Sequence, residues 1–182
     1  MDLVDLIAEK RFIGQEFLTW LWWKSEERGG SVEIPGEGDI TVVFEKHMLL
    51  ESGEGESSEK IVCTGLQAEL QEARTGLQMG KKLEQARIVL GYKNYEFSFT
   101  LAAALMEFRN VRLPKTETTE GDKSDNPEEV EGMILERTYL FEELIRLVNE
   151  LFRMFLDARL AATWREELQR IRDWVAKSAV VM

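Results

Sequence analysis

The fold of this 182-residue chain is decided by one apolar stretch near its amino terminus, Phe17-Leu18-Thr19-Trp20-Leu21-Trp22-Trp23. The stretch lies in a segment, 13–27, whose apolar residues follow the i, i+4 spacing of a helix, and Gly29-Gly30 supplies the stop. At about 100° per residue, its large side chains surround most of that helix. We therefore predict a helix over 13–27 that is enclosed on most sides, either by the rest of the fold or by a partner.

Working outward from this helix, the pattern predicts a short separate helix over 2–10 and, after Gly30, strands with a period of two. The turn Pro35-Gly36-Glu37-Gly38 predicts a first hairpin, and the turn Lys93-Asn94 predicts a second one. The predicted strands are 31–34, 39–45, 47–50, 60–64, 83–92 and 95–105, with a further strand reaching Leu113. A helix over 66–79, ended by Gly80, is interposed between the strands.

The carboxy-terminal third predicts a mobile acidic insert over 115–132 and then a long helix that runs to about Lys177. The run Asn126-Pro127-Glu128-Glu129 is a helix-start signature, so the helix begins either there or after Gly132. A continuous helix of some 44 residues would span roughly 65 Å, more than a compact domain of this size. It therefore breaks near 157–161 or projects and packs on a second subunit. We predict a single α+β domain: an antiparallel sheet meander with an interposed helix, amino-terminal helices and a long carboxy-terminal helix.

Composition excludes much site chemistry. A lone Cys63 and a lone His47 cannot form a disulfide or a Cys/His zinc site, and the glycines form no phosphate-binding loop. Neighbouring carboxylates on a helix point about 100° apart and form no close acid/base pair. We predict no catalytic residue, no metal site and no cofactor, hence a non-enzymatic protein. The acidic start Met1-Asp2 and the lack of an apolar run of about 18 residues predict a cytoplasmic protein without membrane association.

The net charge of −11 is unevenly distributed. Residues 51–60 and 114–132 together contribute −8, whereas 61–113 is slightly basic, with seven Lys and Arg against five acids. Phosphate binding needs several bases on one surface, and this middle segment supplies the candidates. The candidate nucleic-acid-binding residues are Arg74, Lys81, Lys82, Arg87, Lys93, Arg109 and Arg112. The alternative is that they are ordinary solvated positions on a helix and strands.

The aromatic residues allow three interpretations. They pack in the core, they anchor a subunit interface, or Trp20 or Trp23 stacks on nucleic-acid bases. The candidate interface residues are Phe17, Trp20, Trp22, Trp23, Phe152, Phe155 and Trp164.

The run 12–26 resembles a segment of the recombination-associated protein RdgC family. The similarity continues through a strand–helix–strand section with Gly65, Gly80, Leu101 and Leu113-Pro114, and 151–159 followed by Trp164 is similar to the family's closing segment. The chain then corresponds to the carboxy-terminal portion of a longer, divergent member. The resemblance implies a ring-forming dimer that binds double-stranded DNA without sequence specificity and restrains recombinase filaments. It transfers no individual DNA-contacting residue.

Together these observations predict a recombination- or nucleoid-associated homodimer that binds double-stranded DNA. The alternative is an acidic interaction module that engages a basic protein or imitates nucleic acid. A metal-dependent carboxylate enzyme is a third hypothesis, and it requires Asp and Glu that converge from separate elements.

Overall fold

The computed structural model describes residues 3–52, 59–64, 68–115 and 126–177. Its helices are α1 (Leu3–Glu27), α2 (Ala68–Gln78), α3 (Pro127–Leu160) and α4 (Trp164–Ala176). Its strands are β1 (Ser31–Ile34), β2 (Gly38–Ser52), β3 (Glu59–Thr64), β4 (Lys82–Tyr92), β5 (Tyr95–Ala102) and β6 (Glu107–Arg112). Every strand pairing within these residues is antiparallel, and the predicted α+β class is confirmed.

The sheet is organised around β2, which pairs with three other strands. β1 and β3 pair with the two ends of β2 along one edge, while β4 follows the other edge, and β5 and β6 extend the sheet beyond β4. The segments 39–45 and 47–50, predicted as two strands, are therefore one. The alternation of apolar and polar residues is interrupted between Phe44 and Met48. A register shift at that point lets β2 remain paired with β4 on both sides of the interruption.

The second predicted hairpin is confirmed as β4 and β5, with Tyr92 paired to Tyr95 across the turn. Lys93 has a φ of 53°, the left-handed conformation that such two-residue turns require. β5 ends at Ala102 rather than at 105, because the chain turns over 103–106 before β6. The predicted strand toward Leu113 is β6.

The interposed helix is α2, which covers most of the predicted range 66–79. Ala73 is fully buried, and Gly76 lets the helix approach Leu50 of β2, because an added Cβ would lie 3.0 Å from that side chain. Gly80 follows the helix with a φ of 84°. Residues 65–67, which include Gly65, lie outside the described part of the chain.

One continuous helix, α1, replaces the two helices predicted over 2–10 and 13–27. No proline interrupts this segment, and Gly14 is accommodated in mid-helix by a tertiary contact. The α1 backbone at Gly14 packs so closely on the carbonyl oxygen of Ala103 that a Cβ would overlap it. The glycine is therefore used for close helix–sheet packing and does not separate two helices.

The predicted enclosure of the aromatic helix is confirmed, because α1 lies between the sheet on one side and α3 and α4 on the other. Trp22 stacks on Phe44 of the sheet at 6.0 Å and meets the ring of Trp174 of α4 edge-on at 5.0 Å. Phe17 meets Phe152 of α3 edge-on at 5.1 Å. A helix that is apolar on most sides is thus the central layer of a three-layer domain.

The carboxy-terminal helix begins at Pro127, the earlier of the two predicted starts. The Asn126 side chain caps it by accepting a hydrogen bond of 3.2 Å from the Glu128 amide. The prediction of a mobile insert over 115–132 was therefore wrong for 127–132, because these residues are helical. Residues 116–125 lie outside the described part of the chain. Of the two alternatives, a break near 157–161 or a projecting continuous helix, the structure has the break: α3 ends at Leu160, and α4 turns back to pack on α1 and α2.

Candidate functional site

The sheet has one covered and one open face. Along β4 and β5, alternate residues such as Ile88, Leu90, Phe97 and Phe99 are buried beneath the helices. The residues between them point to the other side, where no described helix packs. We call this second surface the open face. Its members on β4, β5 and β6 include Arg87, Val89, Ser98, Thr100, Arg109 and Arg112.

Strand register brings three of the seven predicted bases together on this surface. Arg87 is paired with Thr100, and Thr100 is paired with Arg109, so these side chains form one row across three strands. Ser98, paired with Arg112, belongs to the neighbouring row. Neighbouring strands lie about 4.8 Å apart, so the backbones of Arg87 and Arg109 are roughly 10 Å apart, with Thr100 between them and Arg112 on the next row. We call Arg87, Arg109 and Arg112 the arginine patch.

Carboxylates accompany two of the three arginines. Arg87 donates to Glu45 at 2.8 Å and to the Ser98 hydroxyl at 2.9 Å, while Arg109 donates to Glu107 at 2.6 Å. This hydrogen bond, which Arg109 donates and Glu107 accepts, lowers the pKa of Glu107 and raises the pKa of Arg109. Both shifts favour the charged forms of Glu107 and Arg109. Arg112 is exposed and forms no ion pair with any described residue.

Two other predicted bases are used inside the fold. Arg74 of α2 forms an ion pair with Glu26, and its guanidinium lies 4.7 Å from the ring centre of Trp174. Lys81 is only 7% exposed and donates to Glu59 at 2.9 Å and to Ser52 at 3.2 Å. Neither side chain lies on the open face, because Lys81 is buried and Arg74 packs against the Trp174 ring, so the structure does not place them on one surface with the three arginines.

The last two predicted bases are exposed but lie away from the patch. Lys82 begins β4, and Lys93 follows the other end of that strand. Lys93 lies 4.7 Å over the ring of Tyr92, and a side-chain hydrogen bond with Tyr92 raises the pKa of Lys93. The seven candidates therefore do not form one surface.

The predicted subunit-interface residues are mostly core residues of one chain. Five of them have at most a few per cent of their surface exposed because the sheet, α3 and α4 cover them: Phe17, Trp20, Trp22, Trp23 and Phe155. Phe152 and Trp164 are half-buried and pack on Phe155. The structure thus places the first five side chains in the core of their own chain, while an interface role of Phe152 and Trp164 stays a prediction.

An exposed helical segment escaped the sequence analysis. Residues 127–139 of α3 precede Leu140, the first buried position of the helix, and we call them the α3 overhang. Ile134, Leu135 and Tyr139 are 59%, 63% and 57% exposed. Apolar residues at helical spacing continue upstream of Leu140, at Ile134 and Val130. That upstream extension was the missed signal.

The single histidine and the single cysteine lie on two strands that pair with each other. His47 is exposed on β2, and Cys63 is buried in β3. Within the described ranges, no group of three or more His, Cys, Asp or Glu is placed to hold a metal ion. The same part of the chain includes no helix with the length and apolar character required to cross a bilayer.

Fold and site therefore define an α+β protein whose sheet carries an arginine patch on its open face. No protein-family model matches the chain, and no curated protein matches it.

Proposed function

We propose that this chain is a non-enzymatic, recombination- or nucleoid-associated protein that binds double-stranded DNA through the open face, without sequence specificity. The observation that carries the proposal is the arginine patch, which places three guanidinium groups on adjacent rows of one uncovered surface. Arginine forms charge-assisted, often bidentate hydrogen bonds with phosphate. The resemblance to the RdgC family supports the same function.

The composition of the open face favours duplex over single-stranded DNA. None of its positions on the described strands β4, β5 and β6 is aromatic. Single-strand binding relies on stacking of bases on aromatic rings, whereas duplex binding without specificity requires only contacts with phosphates. The patch therefore matches a DNA backbone better than exposed bases.

Glu45 and Glu107 determine how strong this binding is. A phosphate must replace each carboxylate as the partner of Arg87 or Arg109, and the net charge of −11 adds a general repulsion. Binding is therefore weak at physiological salt and strengthens as salt falls. Three phosphate contacts correspond to a slope of about −2.7 for the logarithm of affinity against the logarithm of salt concentration.

The test measures fluorescence anisotropy of a labelled duplex of arbitrary sequence over a range of salt concentrations. We expect the double variant Arg109→Ala/Arg112→Ala to reduce the magnitude of the slope by about two and to weaken binding at low salt about tenfold or more. The matched control, Arg165→Ala/Arg170→Ala, removes two exposed arginines of α4 and should preserve the slope. The variant Glu107→Gln should bind more tightly, because it frees Arg109. No binding at low salt, or equal losses in the patch and control variants, would refute the proposal.

The α3 overhang favours a second candidate function, and for it we propose docking of a basic amphipathic segment of a protein partner. The overhang exposes Val130, Ile134, Leu135 and Tyr139. It includes four Glu against one Arg, so it combines apolar surface with negative charge. Helix-in-groove recognition uses apolar anchors at this spacing, and the acids attract a basic partner. A second copy of the chain would instead place glutamates against glutamates.

A synthetic helical peptide with leucines on one face and lysines on the other is a suitable probe. We expect it to bind, an otherwise identical peptide with Glu in place of Lys to fail, and Val130→Ser/Ile134→Ser to abolish binding. The control Leu160→Ser changes an exposed apolar residue outside the overhang and should have no effect. Equal binding of both peptides would reject the docking proposal. If light scattering showed a dimer, and if Val130→Ser/Ile134→Ser dissociated that dimer, the overhang would mediate self-association. This result would also reject the docking proposal.

A further inference from the structure

We propose that the cleft between α1, α2, the start of β4 and α4 binds an amphipathic organic anion, specifically a long-chain carboxylate. The cleft has a volume of about 740 Å³, within the usual range for small-ligand sites. The cleft is separate from the arginine patch, because none of the three arginines lines it. The inference therefore stands independently of DNA binding.

The apolar part of the cleft wall comes from three helices. α1 contributes Trp20, the end of α2 contributes Leu77, and α4 contributes Trp164, Leu168 and Ile171. Gln78 of α2 donates a hydrogen bond of 2.6 Å to the carbonyl oxygen of Val175, which joins the two helices at the cleft. An alkyl chain placed here would be removed from water by aromatic and branched side chains.

The rim of the cleft is cationic although the chain is acidic. Lys81, Lys82 and Arg172 line it, and the one carboxylate in the lining, Glu16, is engaged by Arg159 at 2.5 Å. Lys81 already binds Glu59 and Ser52. Lys82 and Arg172 are exposed and form no ion pair with a described residue, so their charges are available for an anionic head group.

The neutral polar groups of the lining indicate that the ligand body has little hydrogen-bonding capacity. The Gln15 amide donates to Glu84, the Thr19 hydroxyl donates to the Gln15 carbonyl, and the Gln78 amide donates to Val175. A nucleoside or sugar requires several donors and acceptors that read its polar edges, and one donor of each of these three groups is already engaged within the protein. An alkyl chain requires none. The apolar side chains, these engaged donors and the two cations, which form no ion pair with a described residue, together fit a fatty-acid-like carboxylate.

The test uses dodecanoate as the probe, below its micelle concentration, with dodecanol as the uncharged counterpart. Binding is measured by titration calorimetry and by the fluorescence of the tryptophans, two of which, Trp20 and Trp164, line the cleft. We expect one dodecanoate per chain and weaker binding of dodecanol. The variant Lys82→Glu/Arg172→Glu should weaken dodecanoate binding roughly tenfold or more, because it removes both free cations. It should leave dodecanol binding unchanged.

Two further variants keep the test decisive. Arg165→Glu/Arg170→Glu reverses the same number of exposed charges on α4 outside the cleft and should bind dodecanoate normally. Leu168→Trp fills the cleft and should block binding while circular dichroism shows an intact fold. Absence of dodecanoate binding, or equal affinities of acid and alcohol that the rim variant does not alter, would overturn the proposal. Loss of DNA binding in the arginine-patch variant would leave this result untouched.

Discussion

Trp174 of α4 donates its indole N–H to the carboxylate of Glu26 in α1 at 2.9 Å. The same carboxylate accepts a hydrogen bond of 2.8 Å from the Trp22 indole and forms an ion pair with Arg74 of α2. Arg74 in turn lies over the rings of Trp174 and Trp22. The side chain of Glu26 thus joins α1, α2 and α4. Among the described residues, these three helices make fewer polar contacts with one another anywhere else.

We expect Glu26→Ala to destabilise the protein by about 2 kcal/mol. The substitution removes a charge-assisted acceptor and leaves Arg74 and two indole N–H groups without it in a partly buried site. Urea unfolding followed by circular dichroism measures the change. The control Glu33→Ala breaks the exposed pair with Arg28 and should cost less than about 0.5 kcal/mol. An equal loss of unfolding free energy in both variants would show that the contacts of Glu26 stabilise the fold no more than an exposed ion pair does.

The close contact of Gly14 with Ala103 leads to a second prediction. An alanine at position 14 places its Cβ against the Ala103 carbonyl, so Gly14→Ala should destabilise the fold by roughly 2 kcal/mol or more, despite the better helix propensity of alanine. Gly132 is the matched control, because it is also helical and a Cβ there meets nothing within 4 Å. Gly132→Ala should stabilise α3 by up to about 1 kcal/mol. Opposite signs in thermal unfolding support the contact, and a stabilising Gly14→Ala would contradict it.

The contrast between these glycines shows what a single sequence can and cannot predict. The enclosure of α1 was predictable, because the arrangement of apolar residues around a helix is a local property. The hairpin of β4 and β5 was predictable for the same reason, since its turn and its alternation are both local. The role of Gly14 depends on Ala103, which lies far along the chain, and no local pattern reports that contact.

The same limit applies to the predicted bases. Arg74 and Lys81 resemble surface residues in the sequence, because their partners Glu26 and Glu59 come from other elements. That Arg87 and Arg109 share a face follows only from the register of β4, β5 and β6. The cleft was not predictable either, since four separate elements contribute its lining.

A pH dependence follows from the ion pairs at the β1–β2 turn. The Tyr92 hydroxyl and Arg146 hold the pKa of Glu37 below its usual value, and Arg146 does the same for Glu143. Because these folded-state pKa values lie below those of the unfolded chain, the stabilisation is complete above the ordinary glutamate pKa and is lost as the pH falls through the folded values. Stability should therefore decline between about pH 5 and pH 3.

The variant Arg146→Met tests this dependence. It should lower stability near neutral pH and make the decline with acid shallower, because Glu37 and Glu143 then titrate closer to their unfolded values. The control Arg153→Met breaks the exposed pair with Glu150 and should keep the slope of the native protein. Urea unfolding at a series of pH values gives the slopes. If the Arg146→Met protein kept the full dependence of its unfolding free energy on pH, that dependence would come from other carboxylates.

Glu84 provides the last prediction, because its carboxylate is buried at the register shift of β4. It accepts a hydrogen bond of 2.8 Å from Arg11 and another from Gln15, and Arg11 also pairs with Glu51. Hydrogen bonding to Glu84 is the largest cause of the raised pKa of Arg11. Arg11→Met leaves a buried carboxylate without its cation, so we expect a loss of about 3 kcal/mol.

Adding Glu84→Gln to Arg11→Met should restore part of that loss, because a neutral amide needs no cation and can still bond Gln15. A double-mutant cycle in urea unfolding measures the coupling between the two residues, which we expect to exceed about 1 kcal/mol. Arg11→Met also removes Arg11 from Glu51, but Lys60 lies 3.7 Å from that carboxylate and stays beside it in every variant, so the cycle reports the coupling between Arg11 and Glu84. Purely additive effects would mean that Arg11 stabilises the fold through Glu51 or through the packing of its own alkyl chain, and not through the buried glutamate.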